Sequence, residues 1–238
     1  MTSASVLRLP LAATLLLVTA TAAAAPIGPT PYLSAADSPF ANLGARYFHL
    51  EDFEDGSFNA PGVTSPVVAG VPAFVISRTS GLTDSVDGDD GAIDGSGLNG
   101  HSFFGNGALG ITFMFDAAVL GSLPTHAGVV WTDGLGVVEM TVFGPGMTVL
   151  GTIGGNLADT SVAGTTAEDR FLGWIDQGGI LGFRIANPVG GIEVDHLQYA
   201  GGVPVPVPAT VPTPGGAGLL AASVAGFASW RAARRKRM

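Results

Sequence analysis

Ile180-Leu181-Gly182-Phe183-Arg184-Ile185-Ala186, followed shortly by Ile192-Glu193-Val194-Asp195-His196-Leu197-Gln198-Tyr199, is the stretch that decides the fold. In the first run Leu181, Phe183 and Ile185 share one face and Arg184 takes the other, which is the two-residue period of a strand with one side in a core. In the second run Ile192 and Val194 share a face while Leu197 and Tyr199 share the opposite one, and the changeover falls at Asp195-His196. A bulge or twist there accounts for the break. An acid at such a point is either a satisfied polar residue or a metal ligand.

Working outward, similar runs recur toward the N-terminus: Phe171 to Ile175, Met147 to Ile153, Val137 to Phe143, Ala127 to Thr132, Leu109 to Phe115, Ser102 to Phe104, Ala73 to Ser77 and Tyr47 to Phe53. Gly, Asp or Pro punctuates nearly every gap, and no helical pattern separates the runs, so parallel crossovers are excluded. The spacing predicts an all-β antiparallel sandwich over residues 46–202. Before it, residues 26–45 are proline-spaced and read as an irregular segment. Abundant glycine (36 of 238 residues) suits short strands and tight turns.

The formal net charge of -9 hides a segregation. Five of the ten basic residues lie after residue 230 and Arg8 precedes the rest, leaving Arg46, Arg78, Arg170 and Arg184 against all nineteen acids, a net -15 for the middle of the chain. That surface repels phosphate backbones, so nucleic acid is not a partner, and it attracts divalent cations. The run Asp84-Ser85-Val86-Asp87-Gly88-Asp89-Asp90-Gly91-Ala92-Ile93-Asp94 spaces carboxylates with glycines, as a loop wrapped round calcium would. Asp87, Asp89, Asp90 and Asp94 are the candidate ligands. No glutamate completes an EF-hand, and an ordinary solvated turn is the competing reading. The chain has no cysteine, so neither a disulfide nor a thiol nucleophile is available.

Both ends look like targeting segments. Residues 1–25 carry Arg8, an apolar run from Leu9 to Val18 and the small-residue run Ala20 to Ala25, the layout of a cleaved secretory signal peptide. Residues 203–214 form a Val-Pro-spaced linker. Residues 215–230 hold no charge and as a helix would span about 24 Å, short of the roughly 30 Å hydrocarbon core. Residues 231–238 bring Arg231, Arg234, Arg235, Lys236 and Arg237, a basic cluster that stays cytoplasmic and places the acidic middle outside.

This tail is similar to PEP-CTERM sorting signals, in which a Val-Pro-x-Pro motif precedes a short span and an arginine-rich end. Val211-Pro212-Thr213-Pro214 occupies the motif, with Thr213 where glutamate is usual. The resemblance implies export through the inner membrane, a transient hold there, recognition by an exosortase-type membrane protease, and release to the envelope or an extracellular polysaccharide matrix. Thr165 to Trp174 and Ile192 to Tyr199 in turn resemble the closing strands of jelly-roll domains laid out like carbohydrate-binding modules. That resemblance implies a structural calcium held by an acid of the first strand and one of the last, which here are Glu54 and Asp195, with Asp52 as a third ligand.

For activity, the chain lacks His-Glu-x-x-His, Gly-x-Ser-x-Gly and a phosphate loop, and His49, His101, His126 and His196 are far apart in sequence. Carboxylate pairs for glycoside hydrolysis could be drawn from Glu139, Glu168 and Glu193, but nineteen acids make such pairs easy to find. Trp131 and Trp174 could stack on sugar rings if exposed, and core packing is the competing fate of a strand tryptophan. The sequence reads as an exported, non-catalytic envelope or matrix protein of structural or adhesion type, with polysaccharide as its ligand.

Overall fold

The computed structural model describes residues 24–77, 83–86, 100–158 and 168–202. Their strands are β1 (Ala25–Pro31), β2 (Tyr47–Glu51), β3 (Val63–Thr64), β4 (Phe74–Ser77), β5 (His101–Asn106), β6 (Ile111–Phe115), β7 (His126–Leu135), β8 (Val137–Gly144), β9 (Thr148–Asn156), β10 (Arg170–Ile175), β11 (Gly182–Ala186) and β12 (Val189–Gly201). One helical turn, α1 (Ala117–Leu120), is capped by Asp116, which accepts the Ala118 N–H at 2.8 Å.

The strands form two antiparallel sheets, as the alternation predicts. The larger, seven-stranded sheet runs β1-β10-β7-β12-β5-β4, with β2 also pairing β12, and the five-stranded sheet runs β3-β6-β11-β8-β9. β5 to β12 pair as nested couples: β8 with β9, β7 with β10, β6 with β11 and β5 with β12. Successive couples fall in alternate sheets, as when one long hairpin is rolled up from its tip. Between the sheets lies the main core, which includes Phe113, Phe183, Val129, Trp131, Leu172, Val194, Leu197 and Tyr199.

β12 carries the predicted irregularity. Its register against β7 shifts between Asp195 and Gln198, and His196 sits in the left-handed region at φ 43°. The extra residue lets Ile192, Val194, Leu197 and Tyr199 all join the main core. On the opposite edge β12 pairs β5 through residues 191–194 and β2 through residues 197–201.

The N-terminal segment corrects the sequence reading. Residues 26–45 are not irregular throughout, because β1 pairs β10 from Ala25 opposite Ile175 to Pro31 opposite Arg170. Pro26, Pro29 and Pro31 argue against a central strand, but β1 lies at the sheet edge, where a missing N–H can face away from the ladder. The segment after β1 crosses the outer face of the larger sheet, where Tyr32 and Phe40 join Val86, Val130, Phe171 and Ala200 in a second core.

The chain divides into a unit ending at Val203 and another, Pro204–Met238. Residues 1–23 of the leader, Val211, Pro212, Thr213 and Pro214, the uncharged segment 215–230, the basic tail, and Asp87, Asp89, Asp90 and Asp94 lie outside the described residues. A signal-peptide helix over residues 1–25 and a transmembrane helix over residues 215–230, the flanking helices the sequence predicts, would fall mainly in those stretches. Among the described residues no helix is long and apolar enough to cross a membrane.

Candidate functional site

Polar chemistry concentrates on the outer face of the larger sheet. Along β12, Glu193, Asp195, His196 and Gln198 point away from the main core, a pattern that normally marks a solvated face. All four are nonetheless buried, none more than 4% exposed. Tyr32, Phe40 and the segment 83–86 cover them.

The Glu193 and Asp195 carboxylates are each met by specific donors. The Asp84 N–H and the Ser102 hydroxyl both donate to Glu193 Oε2, at 2.9 and 2.8 Å. The Val86 N–H and the Ser85 hydroxyl reach Asp195 Oδ2 at 2.9 and 3.0 Å, and the His196 N–H donates to Asp195 Oδ1 at 2.6 Å. The same Ser85 hydroxyl lies 3.3 Å from Glu54 Oε1. Glu54 also takes the His101 N–H at 2.5 Å, and its Oε2 is 3.4 Å from His101 Nδ1. Gly100 makes that approach possible: its φ is +93°, and a Cβ there would come within 2.5 Å of Ser85 Oγ and 2.9 Å of Glu54 Oε1.

A group of acids gathers around Asp84. Glu193 lies directly opposite Asp133 in the β12–β7 pairing, and Glu168 and Asp169 lead into β10 beside them. Asp84, Asp133, Glu168, Asp169 and Glu193 are all buried. Burial pushes the Asp84 carboxyl up to about 10, and the charges of Asp169, Glu193, Asp133 and Glu168 add to the rise. Burial likewise lifts Glu193 to about 7 against the pull of its bonds from Asp84 N–H and Ser102, with Asp133 adding to the lift. Such carboxylates hold protons at neutral pH or share a cation.

The structure thus brings Glu54 and Asp195 to one serine hydroxyl. Asp52 is used differently, its Oδ1 accepting the Glu54 N–H at 3.1 Å in the turn after β2. The donor atoms are hard oxygens of the kind calcium takes. Even so, no three His, Asp or Glu side chains among the described residues converge as a metal-coordinating group. Asp84, Asp133, Glu168 and Glu193 escape a local reading because pairing between distant strands assembles them. The sequence names Asp84 in the acidic run and Glu168 and Glu193 as candidate carboxylates, and it sets Glu193 two residues before Asp195 on β12, but nothing in it puts them beside Asp133.

The tryptophans do not form a ligand platform. Trp131 is fully buried and Trp174 is 6% exposed, both in the core between the sheets, and the Trp174 ring sits against Gly151 of β9. Neither ring has a face to offer a sugar. The four histidines also stay apart: His49 packs on Tyr199, His126 on Phe40, His196 bonds the Tyr32 hydroxyl, and His101 meets Glu54.

No protein-family model matches the chain, and no curated protein matches it. Among solved structures, the C-terminal family 22 carbohydrate binding module of Clostridium thermocellum Xyn10B is similar at 12% identity and a TM-score of 0.34, over 69% of this chain and 98% of that one.

Proposed function

We propose that the chain is an exported, C-terminally sorted protein of the envelope or extracellular matrix. Its body is a non-catalytic jelly-roll sandwich, braced by calcium, that adheres to polysaccharide. The observation that carries this reading is the fit between the fold and the two targeting segments. β1 begins at Ala25, where the alanine run of the leader ends, and β12 ends at Gly201, two residues before the Val-Pro-spaced linker. The described residues between them have their place in the sandwich, and the leader and tail are left for the export machinery and an exosortase-type protease in the inner membrane.

The nested pairing of β5 to β12 supports the jelly-roll assignment. The acids around Asp84, and Glu54 and Asp195 at the Ser85 hydroxyl, are oxygen ligands of the kind a hard cation takes, and a divalent ion near Asp84 would offset the burial and the neighbouring negative charge that raise its carboxyl. Mass spectrometry of the mature protein, produced in a Gram-negative host carrying an exosortase, tests the sorting. The expected product begins near Ala23 to Pro26 and has lost the basic tail. A mature form that keeps Arg231 to Met238 would overturn it.

A further inference from the structure

The outer face of the smaller sheet is laid out differently from that of the larger one. Across β6, β11, β8 and β9, Thr112, Arg184, Thr141 and Thr152 stand directly opposite one another in register. They form a polar row three inter-strand steps long, roughly 14 Å, or about two to three sugar rings. One row to one side, Glu139 of β8 lies between Ala186 and Gly154. On the other side lie Met114, Gly182, Phe143 and Val149, with Met114 and Phe143 half-buried and Val149 63% exposed.

Two open depressions, of about 490 and 350 Å³, meet on this face at Val137 and Glu139. One continues over Thr152 and Gly154 of β9, the other over Arg184 of β11 to Pro188. Arg184 is fixed: its Nε donates to the Leu109 carbonyl and its Nη2 to the Ala108 carbonyl, each at 2.8 Å, leaving Nη1 without a protein partner among the described residues. Glu139 Oε1 takes only a long 3.4 Å bond from the Thr141 hydroxyl. A fixed cationic donor therefore sits within a row of threonine hydroxyls, with a weakly engaged carboxylate one row to one side and an aromatic ring one row to the other.

We infer that this face binds an extended neutral glycan. A sugar chain offers both chemistries the face presents: hydroxyls for Glu139, Arg184 and the threonines, and C–H faces for Phe143 and Met114. An apolar peptide would leave the polar row unpaired, and an anionic polymer would meet the net -15 of the middle of the chain. The inference rests on the polysaccharide reading above and assigns it a site.

The test is native affinity electrophoresis of the full-length chain in mild detergent, through gels cast with galactomannan, hydroxyethyl cellulose or alginate. Either neutral polymer should retard the protein, and Glu139→Ala and Phe143→Ala should each weaken that retardation tenfold or more while the near-ultraviolet dichroism of the buried tryptophans is kept. Phe74→Ala, which removes an exposed aromatic from the edge of the other sheet, should leave it unchanged. Retardation of both site variants equal to the parent would overturn the site and leave polysaccharide adhesion standing. Retardation by no polymer would overturn both, and retardation by alginate alone would overturn the choice of a neutral ligand.

Discussion

The two outer faces of the sandwich are opposites. That of the larger sheet is roofed by Tyr32, Phe40 and the segment 83–86, so polar side chains that a strand would usually show to water are sealed beneath it. That of the smaller sheet keeps Val137, Glu139, Val149 and Thr152 in solvent. A face closed by the chain's own residues serves stability, and a face left open is available to a partner.

The sharpest way to break this contrast is to truncate one phenylalanine on each face. Phe171, buried against Tyr32 and Phe40 with ring centroids 6.0 and 5.4 Å away, should cost about 3–5 kcal/mol as Phe171→Ala. Phe143→Ala on the open face should cost about 1 kcal/mol or less. Equal losses in urea unfolding would mean that the smaller sheet is also covered.

Next in size is the effect of calcium. At a hundred times its dissociation constant the ion should stabilise the fold by about 2.7 kcal/mol, roughly 5–10 °C in thermal midpoint for a body of this size. In chelator the pH dependence has a defined sign. Asp84 and Glu193 bind protons more tightly folded than unfolded, so stability is greatest at low pH and falls as pH rises, between 3.8 and about 10 for Asp84 and between 4.5 and about 7 for Glu193. Asp84→Asn should flatten that decline and reduce the gain from calcium. A midpoint that climbs from pH 5 to 8 in chelator would show that these acids are not strained as described.

The smallest expected effect concerns one hydroxyl. Tyr32 Oη lies 3.0 Å from His196 Nδ1 and accepts from Gln198 Nε2 at 2.9 Å, while the Ser38 hydroxyl bonds Gln198 Oε1. Tyr32→Phe should cost about 1–3 kcal/mol in urea unfolding, whereas Thr141→Val on the open face should stay within about 0.5 kcal/mol. A neutral Tyr32→Phe would mean that the roof is held by apolar packing alone.

Much of the sandwich was legible because β6, β8 and β11 have one dry and one wet face, and their two-residue period gives them away. The bulge at Asp195–His196 was legible for the same reason, as a break in period. The closed face was not. Alternation says which side chains of β12 share a face but not whether that face is wet, and β7 is buried on both sides from His126 to Gly134, so it shows no period at all. β1 was hidden by prolines that only an edge position tolerates. The Glu54–Asp195 meeting came from a likeness between chain layouts, whereas the acids around Asp84 come together only through the register of β12 on β7. Trp131 and Trp174 were ambiguous until the second sheet covered them.

The tail continues directly from β12, which is paired to β7 on one side and to β5 and β2 on the other. Tension entering the body from a tethered C-terminus would therefore pull along a central strand. Its ladders would be loaded in shear, many hydrogen bonds at once, rather than peeled one by one as at an edge such as β4. A strand in the middle of the larger sheet thus resists a pull on its C-terminal end better than an edge strand would.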